Sequence, residues 1–315
     1  MASGLAVAIL ASVATAADEK HDWENLAVNS VNRLPARTYS MPLAAEADAL
    51  TDALEPETPW KKSLNGDWKI SWAGRPQDRV KDFWQAGFDD SKWLTIDVPS
   101  CVEMRGFGSP GYTNVKYPHK MAWPKILDRD TGKGDYNPVS SSRTTFEVPS
   151  AWAGRRVILR FDGVYSAYYV WVNGKKVGYA EDSKLPSEFD VTDFVNIPAP
   201  GTKHQAPGAN TLAVEVYRWC DGSYVEDQDM FRYSGIYRDV TLWSLPKDGL
   251  WDFRVVTSHD EAEGWRLKVE GVDGDWSATL YDAANKKVSD VSSSRPSSLI
   301  PSSGRPRSPT STRSS

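Results

Sequence analysis

The sequence predicts an all-β protein built as a β-sandwich, and three observations carry that prediction. From residue 60 onward, short segments of alternating apolar and polar residues recur, separated by Gly- and Pro-containing turns. Asn173-Gly174 lies between two such segments, the strongest short-range hairpin signal, because both turn positions require positive φ. Sustained helical periodicity is nearly absent, and 14 Trp and 13 Tyr in 315 residues suit pleated surfaces.

Residues 4–16, GLAVAILASVATA, read as the apolar core and small-residue cleavage site of a secretory signal, so 1–17 is expected to be a signal peptide. No Lys or Arg precedes the run and no N-x-Ser/Thr acceptor occurs in the chain, so a cytoplasmic location remains the alternative. The run is too short to span a bilayer, and none of about 18 apolar residues follows it, so no membrane partner is expected.

Residues 18–59 carry prolines at 35, 42, 56 and 59, a short helical stretch at 44–53 and otherwise no period. They read as an extended arm without a packed element of its own. Strands are then expected at 68–72, 94–98, 144–148, 156–161, 168–172, 175–179, 211–217 and 236–243, with a turn at 186–190 and a surface loop at 198–210. After Leu245 the pattern restarts at 251–257, 265–269 and 278–281. That is three strands of a second sandwich, which would need about seven to close. From 292 to 315 the chain holds 11 Ser, 4 Pro and 4 Arg, with Leu299 and Ile300 its only large apolar residues, so 291–315 is expected to be disordered.

A net charge of −5, from 37 basic and 42 acidic residues, offers no basic face for a phosphate backbone, which excludes nucleic acid as the expected partner. His21, His119, His204 and His259 are scattered, with no metal-ligand spacing. Cys101 and Cys220 are too few for a disulfide framework and read as small buried or semi-buried thiols; a bridge between them would require export.

The chemistry concentrates in residues 218–240, RWCDGSYVEDQDMFRYSGIYRDV, which hold five carboxylates, three arginines, three tyrosines, a tryptophan and a phenylalanine. If 225–230 is extended, Asp227 and Asp229 point to one side about 7 Å apart. Rings that stack on the apolar face of a pyranose, beside carboxylates that accept from its hydroxyls, would grip a sugar. An ion-pair network among Asp227, Asp229, Arg232 and Arg238 explains the same residues equally well.

The words DWENLAVNSVNRLPAR at 22–37, LNGDWKISW at 64–72, DVPSCVEMRGFGSPGYTNVKYP at 97–118, VWVNGKKVGYAEDSKLPSEFDVT at 170–192 and RWCDGSYVEDQDMFRYSGIYRDVTL at 218–242 resemble a known family. They match the amino-terminal sugar-binding region of family 2 glycoside hydrolases, specifically the large bacterial-type β-galactosidases. The resemblance runs in one order from about Asp22 to Asp290 and stops mid-sandwich. It implies a jelly-roll (galactose-binding-like) sandwich over 60–245, followed by an incomplete immunoglobulin-like sandwich over 246–290.

The family's catalytic barrel, with its acid/base and nucleophile glutamates, has no counterpart in these residues, so no catalytic residue is assigned and Asp227 and Asp229 are not promoted to those roles. By position in the YTNVxYP and EDQDM words, the resemblance implies that Asn114 and Asp229 contact the galactoside. It also implies that Asp229 donates to a sodium ion whose remaining shell comes from the barrel. No counterpart of the family's magnesium site is expected. The arm at 22–37 resembles the segment that stabilises a tetramer in the family, which implies an oligomer formed through it. The readings in play are therefore a β-galactosidase part that is silent by itself, a stand-alone carbohydrate-binding module or lectin, and a structural fragment that acts on a longer partner.

Overall fold

The structure, a computed structural model, describes residues 21–51, 55–134, 136–199, 209–262, 264–271, 275–292 and 298–300. The expected signal peptide, most of the 198–210 loop and nearly all of the Ser/Pro/Arg tail lie outside the described residues. Among the described residues the fold is all-β, its helical turns are 3₁₀ turns of at most five residues, and no helix is long and apolar enough to cross a membrane.

Two antiparallel sheets form the main sandwich. The larger has seven strands in the order Ser30–Val31, Lys175–Ala180, Ala167–Val172, Asn210–Tyr217, Val139–Phe146, Gly66–Ala73 and Leu94–Val98. The smaller has four, Ser187–Asp190, Arg156–Phe161, Val240–Leu245 and Lys61–Ser63. Alternation decides what each face buries. On the central strand Leu212, Val214 and Val216 join the inter-sheet core with Trp68, Phe161, Tyr168 and Phe189. Ala213 and Tyr217 belong instead to a second apolar cluster, on the other face of the large sheet, with Trp23 and Phe83. Each sheet is thus covered twice, which explains the excess of rings.

The hairpin closes at Asn173-Gly174 as expected, with φ of 51° and 79° and Lys175 opposite Val172. Strands at 94–98 and 156–161 fall on the expected residues. Two expectations are corrected. The stretch expected to turn at 186–190 holds an edge strand, Ser187–Asp190, whose Phe189 reaches the core while Glu188 lies opposite Arg160. The arm, read as having no packed element, is packed residue by residue. Trp23 is buried against Tyr217, Ser30–Val31 extends the large sheet, and Arg37 grips Glu188 through Nε and Nη2 at 2.8 and 2.9 Å. Gly178 makes room for it, since a Cβ there would lie 2.3 Å from the Val31 carbonyl oxygen and 2.7 Å from the Phe189 ring.

Beyond the sandwich, Arg254–Asp260 pairs with Gly264–Glu270, and Ser277–Tyr281 with Lys287–Ser292. Ser298–Ile300 adds a short strand along Trp265, Arg266 and Leu267, inside the tail expected to hold no ordered element. The free edge of Gly264–Glu270 supplies the backbone groups that a composition count does not register. Trp251, past the expected boundary at 245, packs with Ile158, Trp243 and Leu245.

Candidate functional site

At one end of the sandwich a two-stranded ribbon pairs Gly111–Thr113 with Met230–Arg232 in the register Thr113 to Met230, Tyr112 to Phe231 and Gly111 to Arg232. The register ends there: Asn114 follows Thr113 and Asp229 precedes Met230, so the two residues singled out from separate words of the sequence, 115 positions apart, flank the last pair of the ribbon. Both are exposed. The Tyr112 hydroxyl donates to Asp229 Oδ1 at 2.5 Å, and that bond holds the phenol above its ordinary range. The Asn114 side-chain oxygen accepts from the Val115 N–H at 2.7 Å, which fixes the amide at the turn. The Phe231 ring lies 5.5 Å from Tyr112 and 5.9 Å from Tyr233, so exposed rings flank the carboxylate.

The expected extended run at 225–230 is not formed. A 3₁₀ turn at Asp221–Tyr224 continues through Val225, and a strand begins only at Met230. Asp227 and Asp229 therefore do not share a partner. Asp227 pairs with Arg232, whose side chain is 1% exposed, while Asp229 faces Tyr112. The ion-pair reading holds for Asp227, though Arg238 is not in its pair and donates to the Lys184 carbonyl instead.

Arg232 is the clamp of the ribbon. Its guanidinium donates to Asp227, to the Gln228 carbonyl, and through Nε to Thr113 Oγ1 at 3.1 Å, so it ties both strands and the turn before Asp229. Arg218 braces it from below, donating through Nη2 to the carbonyls of Ser109 and Arg232 at 3.0 and 2.9 Å. Glu103 accepts from the N–H and hydroxyl of Ser234 at 2.8 and 2.6 Å.

Sequence reasoning missed two features near this end. His119 is 2% exposed, enclosed by Tyr117, Trp219 and Tyr224, and neither ring nitrogen makes a hydrogen bond of good geometry. Glu181, Cys220 and Asp221, all buried, place one potential ligand atom each within 4.8 Å of one another, offering a cation two carboxylate oxygens and a sulfur. Burial above all, with the neighbouring Asp221 carboxylate adding, pushes Glu181 up to about 8. Cys220 and Asp221 lie 39 and 40 positions after Glu181, so no spacing rule could have found the set. The thiol of Cys220 is held well above its ordinary range by burial, and both Cys101 and Cys220 are free, so the Cys101–Cys220 bridge is not formed.

As a sodium site this end of the ribbon supplies the exposed Asp229 carboxylate, a hard oxygen donor, which fits part of a shell only.

Residues 61–246 match the model of the sugar-binding domain of glycosyl hydrolase family 2, and the chain belongs to that family. It is 40% identical over 240 residues to a β-galactosidase of Priestia megaterium, covering 76% of this chain and 22% of that protein. A β-galactosidase of Enterobacter cloacae is 40% identical over 254 residues, 80% of this chain and 22% of its own length. The chain thus spans about a fifth of the length of the relatives it matches. Among solved structures, a Bacteroides uniformis β-glucuronidase superposes with a TM-score of 0.52 at 21% identity, over 74% of this chain and 25% of that one, which shows the fold.

Proposed function

We propose that the chain is the sugar-contacting first part of a β-galactosidase, acting on terminal β-D-galactosides, with hydrolysis residing in parts of the enzyme outside these residues. The observation that supports this reading is the ribbon whose last pair, Thr113 and Met230, is flanked by the exposed residues Asn114 and Asp229. An amide offers donor and acceptor to sugar hydroxyls, and a carboxylate serves both a hydroxyl and a hard cation. In this reading Asp229 also donates to sodium.

The 315-residue chain alone is expected to show no turnover of a chromogenic β-galactoside. Its two sugar contacts net about 0.5–3 kcal/mol each against water. They are opposed by several kcal/mol of lost translational and rotational freedom, which leaves an affinity of about millimolar or weaker. Galactose titration followed by heteronuclear NMR should give weak, unsaturated shifts centred on Asn114 and Asp229. A saturable micromolar isotherm abolished by Asp229→Ala would overturn this reading in favour of a self-sufficient carbohydrate-binding module.

A further inference from the structure

We propose that His119 is an acid-sensitive latch beneath the ribbon: neutral, it completes the ring cage that supports Met230 at the start of the ribbon's second strand, and protonated, it forces that cage open. The inference concerns the order of the ribbon and does not depend on a sugar being bound there.

The cage is built from three directions. Tyr224 stands edge-on to the imidazole at 4.4 Å, Trp219 edge-on at 5.8 Å, and Tyr117 is stacked at 5.7 Å. Trp219 and Tyr224 belong to the same apolar cluster as Met230, the first residue of the ribbon's second strand, and Tyr165 and Ile126 complete it. The segment after His119 hangs on the Tyr224 hydroxyl, which accepts from the Ala122 N–H at 3.1 Å and donates to the Lys125 carbonyl at 2.7 Å. Whatever moves the imidazole therefore moves the residues that hold Met230, and with them Asp229.

An imidazolium carries two N–H donors, and neither ring position has an acceptor of good geometry. A buried charge without a partner is among the least tolerated states of a side chain. The groups that face His119 do not relieve it. Asp227 is the one nearby anion acting to favour the charged form, and it is already engaged by Arg232, whose own positive charge acts against a second cation. Glu24 lies on the far side of Tyr224, where it accepts from the Ile126 N–H at 2.7 Å and pairs with Lys125. The Lys120 backbone favours the charged form but makes no hydrogen bond of good geometry to the ring, and the hydroxyls of Tyr117 and Tyr224 are committed to carbonyls of Tyr224 and Lys125. Burial accordingly lowers the histidine below its ordinary value of 6.5.

The sign follows from proton linkage. A histidine depressed in the folded state leaves the unfolded or opened state binding more protons, so order is full above the ordinary value and is lost as the pH falls through the depressed one.

The test is the full chain titrated from pH 7.5 downward by NMR, reading the imidazole carbons of the histidines and the amides of Thr113, Asn114, Asp229 and Met230 together. The expected result is that the His119 signal titrates below the ordinary imidazole value of 6.5, and that the ribbon amides shift and lose exchange protection in step with it. In His119→Phe, which fills the cage without a titratable group, the ribbon response is expected to disappear. His119→Gln, neutral and hydrogen-bonding, serves where the phenylalanine variant folds poorly and is expected to behave the same way. The Glu181 and Asp221 carboxyls, also raised by burial, are common to the chain and both variants, so only the part of the ribbon response that follows the His119 imidazole carbons is read. The proposal is overturned if His119 titrates at or above 6.5, if the ribbon amides stay still while it titrates, or if that ribbon response survives in the variant.

Discussion

Trp23 lies nearly face to face on Tyr217, the ring centroids 3.9 Å apart and the planes inclined by 20°. The contact joins the third described residue of the arm to the central strand of the large sheet, 194 positions later. Tyr169 approaches Trp23 edge-on at 6.5 Å and donates to Asp22 at 2.9 Å, so the arm's start is locked into the outer face of the sheet.

Trp23→Ala should therefore lower stability by about 3–5 kcal/mol, the range for truncating a buried large ring. The urea midpoint measures it. A loss below about 1 kcal/mol would mean that the arm is separable from the sandwich and that the packing at Tyr217 contributes little.

The strands of the sandwich were legible because alternation repeats over five or more residues, and the hairpin because Asn-Gly fixes its turn. The arm was not. Its residues pack one at a time, Trp23 on a ring, Asn32 onto the Val177 carbonyl, Arg37 onto Glu188, and such contacts leave no period in the sequence. The ribbon was equally silent, since three residues per strand are too few to show alternation. Asn114 and Asp229 were found through the words that contain them, yet their place at the same end of one ribbon follows only from the pairing of Thr113 with Met230. His119 carried no signal at all: a lone histidine far from the others gives spacing rules nothing to act on, and its role comes from the rings that enclose it.

Arg232→Met tests whether the clamp holds the ribbon. The guanidinium is buried and paired, and removing it strands the Asp227 carboxylate together with the Gln228 and Thr113 acceptors. Breaking one side of such a pair costs about 3–5 kcal/mol. Arg238→Ala, at an exposed arginine whose hydrogen bonds are to backbone carbonyls and whose guanidinium lies over the Tyr237 ring, should stay within about 0.5 kcal/mol. Thermal melts of the two variants side by side decide the matter, and equal effects would mean that Arg232 is not the clamp.

The boundary at the end of the sandwich is tested by where the chain is cut. Sequence places it after Leu245, but Trp251 lies beyond that point and covers Trp243 and Leu245. It is held beneath the guanidinium groups of Arg37 and Arg156 at 4.8 and 5.1 Å. The arm reaches the same segment, with the Thr38 N–H donating to Asp252 at 2.8 Å and its hydroxyl to the Phe253 carbonyl at 2.7 Å. A chain ending at Leu245 loses all of these and should be less stable than one ending at Phe253 by about 2 kcal/mol, the scale of burying one large apolar side chain. The strands that follow Phe253 contribute differently. Val255 and Trp265 are 50% and 44% exposed, and among the described residues the strand Arg254–Asp260 is paired on one side only, which favours association. Ending at Phe253 should therefore give the most soluble of the three lengths, measured as the monomer fraction by light scattering at matched concentration. If the chain ending at Leu245 equals it in both midpoint and monomer fraction, the packing of Trp251 is incidental and the boundary belongs where the sequence places it.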